Sequence, residues 1–207
     1  AMKLTRRNAM MLPAGLAAAS LLPGATSAAE PEANDDGLYT QPWFHSSFLD
    51  LKEDVAEAQA EGKSLAVLWE QNACPYCREM HRVNLANKDI VEYIRKHFFV
   101  LQLNLYGARS VTDFDGKEME ERQLARRWRV NFTPTISFFP KDPAKVEGKP
   151  GGDVEAFRLT GYWKPFHFRS TFVYVETGGY ESEPNFQRWL SDYREKLREA
   201  GQNVDIW

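Results

Sequence analysis

The chain has 207 residues, 43% of them apolar, enough to bury one good core with a small appendage. Its formal net charge is −3 and no lysine-arginine block persists beyond the first residues, which argues against a nucleic-acid partner. With no internal repeat and no NAD, flavin or nucleotide fingerprint, any electrons it moves must be carried by its own side chains.

Residues 1–29 have the layout of an export signal. Lys3-Leu4-Thr5-Arg6-Arg7 is a basic start, Ala9 to Leu22 a modestly apolar stretch, and Thr26-Ser27-Ala28 a small-residue cleavage site. The apolar stretch is too short to span a bilayer, and Pro13, Gly15 and Pro23 weaken it further, so no integral membrane segment is expected in the mature form. Thr5-Arg6-Arg7 resembles the twin-arginine signal, although Ala9 and Met10 stand where that signal has a larger apolar pair. The rival reading is an uncleaved tail. Export would deliver the chain to the periplasm, an oxidising compartment in which two cysteines ordinarily form a disulfide.

Residues 30–42, polar with Pro31, Gly37 and Pro42, read as a linker, and 43–207 as one domain with a C-terminal helical extension. The first helix is expected from Phe48 to Ala58, where positions 48, 51, 55 and 58 make an apolar stripe, Ser47 caps the start and Gly62 stops it. Ser64 to Trp69 is a continuous apolar run and reads as a buried strand.

Next comes Cys74-Pro75-Tyr76-Cys77, which holds the chain's only cysteines, followed by a helical stretch from Arg78 to Leu85. A strand-to-helix turn places Cys74 where unpaired N–H groups and the positive end of the helix favour a thiolate, so Cys74 is the expected nucleophile. Pro75 suits the first helical position because it has no N–H to leave orphaned. Cys77 lies one turn on, on the same face, within reach of a disulfide at a Cα separation of roughly 5.5 Å. Three explanations fit such a pair: a redox dithiol, half of a zinc site, or a local staple. His81 would be a third metal ligand, but no fourth is apparent, since His45, His97 and His167 are scattered without ligand spacing. A staple closing so short a loop removes little chain entropy.

A short helix is expected over Ile90 to Lys96 and a second strand over Phe98 to Leu105. A third helix near Glu118 to Arg129 carries Leu124, Ala125 and Trp128 on one face and leads into a strand from Val130 to Phe139, interrupted by Pro134. Residues 140–153, rich in proline and glycine, read as the mobile tip of a hairpin that returns through Glu155 to Thr160. Pro165 to Glu176 follows Gly161-Tyr162, a position that favours helix. A last helix starts at Pro184, with Phe186, Leu190, Tyr193 and Leu197 in register, and closes at Gly201. Asp205-Ile206-Trp207 is either a frayed end or a docking element. Helices alternating with the first three strands suggest a mainly parallel sheet with an antiparallel hairpin appended.

That order, with Cys74-Pro75-Tyr76-Cys77 after one strand and Thr133-Pro134 entering a later one, resembles the thioredoxin superfamily. The resemblance implies an α/β thioredoxin fold, a central mixed sheet of parallel strands plus an antiparallel hairpin, flanked by helices. It implies that Thr133-Pro134 is a cis peptide lying against the cysteines, the rival being a trans-proline at a strand edge. It further implies that Thr133 holds an extended client segment by strand addition, with Pro75, Tyr76 and Pro134 completing the substrate-binding edge. Within the superfamily the chain resembles the periplasmic SoxW-type thioredoxins of bacterial sulfur oxidation. The likeness runs through Ala73 to Cys77, Met80-His81, Asn84-Leu85, Asp113 to Lys117, Thr133-Pro134-Thr135, Gly161-Tyr162 and Lys164-Pro165. Reductases serving cytochrome maturation share much of the pattern.

Four positions depart from common thioredoxins: Pro75-Tyr76 replaces Gly-Pro, Ala73 replaces Trp, and Leu68 replaces a buried Asp. Leu68 cannot accept a proton, which leaves Glu70 as the candidate proton acceptor for Cys77, or else as a solvated turn residue. The implied reaction is thiol–disulfide exchange by catalytic Cys74 and Cys77, with no cofactor beyond the redox-active disulfide and no metal. The implied partners are disulfide-bearing periplasmic proteins, Sox carriers or enzymes among them, and a membrane thiol transporter as electron donor. A disulfide-forming oxidase, a cytochrome-maturation reductase and a metal-binding module built on Cys74, Cys77 and His81 are the alternatives.

Overall fold

The computed structural model of the protein describes residues 30–202 and 204; the expected export signal and the Asp205-Ile206-Trp207 ending lie outside the described residues. Four strands form one sheet in the order β2-β1-β5-β6, where β1 is Ser64–Glu70, β2 Phe98–Asn104, β5 Thr135–Phe138 and β6 Phe157–Thr160. All seven residues of β1 are buried because both faces of the sheet are covered. Leu65, Val67 and Trp69 join one apolar cluster, while Ala66 and Leu68 join another on the opposite face.

The first cluster is closed by α1 (Leu51–Ala60) and α4 (Glu121–Arg127), through Leu51, Val55, Leu124 and Ala125. The second is closed by α3 (Lys88–His97), α5 (Pro165–Glu176) and α7 (Phe186–Glu199), through Ile90, Ile94, Phe168, Phe172, Phe186 and Leu190. Between β1 and α3 lie the short helix α2 (Pro75–Glu79) and a π-type turn, Met80–Asn84. Two short strands, β3 (Ser110–Thr112) and β4 (Glu118–Glu120), form a separate antiparallel hairpin, and α6 (Gly179–Ser182) precedes α7.

Only β1 and β2 pair in parallel; β5 runs antiparallel to β1, not along it as the alternation of elements suggested. β2 ends at Asn104, opposite Glu70, and β5 starts at Thr135, opposite Trp69. The chain between them therefore leaves and re-enters the sheet at the same end, although Phe114 on the way packs against Phe139 toward the other. The expected helix at 118–129 is correspondingly shorter, because 118–120 belong to β4. Helix α1 is capped by Asp50, whose carboxylate accepts from the Lys52 and Glu53 N–H groups, not by Ser47. Leu49, at φ +66°, turns the chain just before it and leaves Phe48 wholly exposed.

The 140–153 segment is not a free hairpin tip. Asp113, itself fully buried, accepts from the Gly151 N–H at 3.0 Å, the Trp128 indole N–H at 3.1 Å and Arg127 at 2.8 Å. Gly151 lies so close to Trp128 that a Cβ there would sit 2.1 Å from the ring, so only glycine lets the segment pack down. Beside this knot, hydrogen bonds from the Arg127 guanidinium hold the Asp115 carboxyl at about 2, well below its ordinary 3.8. A depressed carboxyl stabilises the fold fully above its unfolded pKa, and the contribution fades as pH falls from about 4 toward 2. Asp115→Asn is therefore expected to be less stable than the parent at about pH 6 and equal to it near pH 2. Urea unfolding at several pH values checks this; a gap independent of pH would contradict the ion pair's role.

Candidate functional site

β1 carries the chain to the end of the sheet where β2 stops and β5 starts, and Ala73, at φ +55°, turns it into α2. Cys74 is the N-cap residue of that helix, in extended backbone geometry, with Pro75 at the first helical position. Its Sγ accepts the Cys77 N–H at 3.1 Å, so the sulfur occupies the place where a capping oxygen usually sits. Cys74 and Cys77 are joined in a disulfide with Cα atoms 5.2 Å apart, so the structure is that of the oxidised protein. Cys74 retains 4% of its residue surface and Cys77 none, so Cys74 is the outer cysteine of the pair.

The opposing wall is the Thr133–Pro134 peptide bond, which is cis. Thr133 Oγ1 donates to Cys74 Sγ at 3.4 Å, placing the proline turn directly against the outer sulfur. Tyr76, two residues after Cys74, and Phe132, immediately before Thr133, are 63% and 66% exposed. The site is thus an open edge with aromatic flanks; a concavity of about 730 Å³ lies elsewhere, between residues 43–46 and α3.

Glu70 is the last residue of β1 and is completely buried, which rules out the solvated-turn reading. It shares a strand face with Leu68, and Met80 from the turn after α2 packs into the cluster on that face. Its carboxylate accepts from His81 Nε2–H at 3.1 Å and from the Gln102 side-chain amide. Gln102 also donates to the Tyr39 carbonyl, and Gln41 Nε2 meets His81 Nδ1 at 3.0 Å. With the Gln41 amide donating to Nδ1, the ring carries its proton on Nε2 and gives it to Glu70. Both ring nitrogens are engaged, so His81 has no lone pair to offer a metal. Among the described residues no group of three or more His, Cys, Asp or Glu is arranged to hold one.

Gln41 and Tyr39 come from the stretch that reads as a linker. In the structure that stretch is seated on the site: Glu30 bonds Arg78 of α2, and the turn at Gly37 lies against Asn72. Leu38 is buried. Nothing in the sequence marks Gln41 or Gln102 as partners of Glu70, because the contacts depend on how a polar segment folds back. His81 carries a signal, four residues after Cys77, but sequence spacing points to a metal and the structure to a carboxylate. Phe132 could be found from its place beside Thr133-Pro134.

The family model for the thioredoxin-like domain matches residues 51–176. No curated protein is matched. Among solved structures, the chain is similar to the solution structure of a thioredoxin from Thermus thermophilus, at 26% identity, over 65% of this chain and 90% of that one, with a TM-score of 0.49. It is also similar to a thioredoxin-fold protein from Helicobacter pylori, at 21% identity, over 72% of this chain and 92% of that one, with a TM-score of 0.46. The oxidised C-terminal domain of DsbD from Neisseria meningitidis is similar at 13% identity, over 63% of this chain and 99% of that one, with a TM-score of 0.42.

Proposed function

We propose, from the premise that this chain belongs to the thioredoxin-like domain family, that it is an exported reductant of client disulfides in the bacterial sulfur-oxidation system. Its class of chemistry is that of a thioredoxin-like protein disulfide oxidoreductase. The observation that carries the reading is the Cys74–Cys77 disulfide at the mouth of α2, with Thr133 Oγ1 3.4 Å from Cys74 Sγ, the cysteine of the pair that is not completely buried.

In the reduced protein the Cys74 thiolate attacks a client disulfide, forming a mixed disulfide and releasing one client thiolate. The backbone at Thr133 and the faces of Tyr76 and Pro134 hold the client chain alongside. Cys77, deprotonated by the Glu70 carboxylate, then attacks Cys74; the 74–77 bond forms, the second client thiolate leaves, and two electrons have passed to the client. The described structure corresponds to this end state. Rereduction is assigned to a membrane thiol transporter, and no dissociable cofactor takes part. Export to the periplasm rests on the signal-like residues 1–29, and the sulfur-oxidation clients on the motif residues shared with SoxW-type thioredoxins. Among the described residues no helix is long and apolar enough to cross a membrane.

Equilibration with glutathione or dithiothreitol buffers tests the direction. The expected midpoint lies nearer to the roughly −270 mV of thioredoxin than to the roughly −120 mV of DsbA. A midpoint at the oxidising end would replace the reductant by a disulfide-forming oxidase.

A further inference from the structure

We propose that the cleft between residues 43–46 and α3 is a docking site for an acidic, extended segment of a partner protein, separate from the dithiol. The cleft has a volume of about 730 Å³. It opens beside Phe98, where β2 begins opposite Ser64, whereas the dithiol follows the other end of β1. The two therefore open at opposite ends of β1, and their nearest approach is through Phe44 of the cleft wall, whose ring lies 5.9 Å from that of His81, four residues after Cys77.

One wall is aromatic. Trp43 and Phe44 meet edge to face at 4.8 Å, and His45 stacks on Phe99 at 4.3 Å. The other wall is the outer face of α3, where Lys88, Glu92, Arg95 and Lys96 fall at helical spacing on the side opposite the buried Ile90 and Ile94. Lys88, Arg95 and Lys96 are exposed and none meets a carboxylate within ion-pair distance among the described residues, so with Glu92 the stripe carries a net +2. Lys63, over the Phe99 ring at 4.8 Å, is already paired with Glu61. This local excess runs against the chain's overall −3.

The shape selects the occupant. From Lys88 to Lys96 the helix rises about 12 Å, a line of charge that suits successive same-side carboxylates of an extended chain, spaced about 7 Å apart. A compact anion would meet one end of it only. β2 is the outer strand of the sheet, and the described main-chain bonding from outside along it is a single bond, from His45 N–H to Val100 C=O at 2.8 Å. The aromatic wall offers apolar cover for side chains between the carboxylates.

Fluorescence anisotropy with a labelled Glu-Asp-Phe-Glu-Asp peptide tests the site on the intact protein. The expected result is saturable binding that weakens with added salt. In the triple variant Lys88→Glu, Arg95→Glu, Lys96→Glu it should weaken by roughly tenfold to a hundredfold, a few-fold for each exposed pair lost. A control variant, Lys196→Glu with Arg198→Glu on α7, should bind within about twofold of the parent. Both variants should reduce a small disulfide at the parent rate. No saturable binding, equal binding by the triple variant, an equal loss in the control, or a triple variant that also loses reductase activity would each overturn the proposal.

Discussion

Cys74→Ser should abolish client reduction, a loss of at least about a thousandfold, and Cys77→Ser should leave the protein covalently joined to its client. The asymmetry follows from surface and position. Cys74 caps α2 and is the one cysteine of the pair that is not completely buried, so it is the one expected to open an external disulfide. Cys77 is completely buried and can only attack Cys74 from within. Because the two act as a unit, the double variant should be no less active than Cys74→Ser alone. Insulin or client reduction measures the rates, and a non-reducing gel followed by mass spectrometry identifies what Cys77→Ser retains. Sox carriers or enzymes are the expected adducts; cytochrome-maturation proteins in their place would reassign the clients. Folding is not the cause of the loss, since opening so small a ring costs at most about 2 kcal/mol. Equal unfolding midpoints for the two single variants would confirm that. If neither variant formed an adduct, the exchange scheme would fail.

What could be read in the sequence was what local chemistry and periodicity determine. The 64–69 run became a strand buried on both faces, the Cys-Pro-Tyr-Cys turn opened a helix, and Thr133-Pro134 is the cis peptide against the outer sulfur. Strand direction was not legible: whether β5 runs with or against β1 depends on the end of the sheet at which the chain re-enters after residue 134, and periodicity is blind to that. The 140–153 segment has a loop's composition, and what fixes it is Asp113, distant in sequence, together with the bare backbone of Gly151 against Trp128. The same limit hid the arm at 30–42. Its Gln41 amide meets His81 and its Tyr39 carbonyl meets Gln102, the two partners of Glu70, and a strap with so few anchoring side chains has the composition of a linker.

Glu70→Leu is expected to cost about 3–5 kcal/mol, a large share of a domain's total stability. Leucine matches the apolar surroundings but leaves the His81 Nε2–H and the Gln102 amide without their acceptor, each worth about 1–3 kcal/mol when buried. Glu70→Gln keeps the shape and one acceptor, so it should lose less and remain folded for kinetics. There it separates structure from chemistry. If Glu70 takes the Cys77 proton as proposed, resolution of the mixed disulfide in Glu70→Gln should slow by roughly tenfold to a hundredfold at neutral pH. Raising the pH should recover most of the rate as the thiol ionises unaided. Urea unfolding gives the stability and stopped-flow resolution of a preformed mixed disulfide gives the pH profile. A stability loss with an unchanged profile would leave Glu70 as the anchor of His81 and of the arm that covers it, and would remove it from the proton's path.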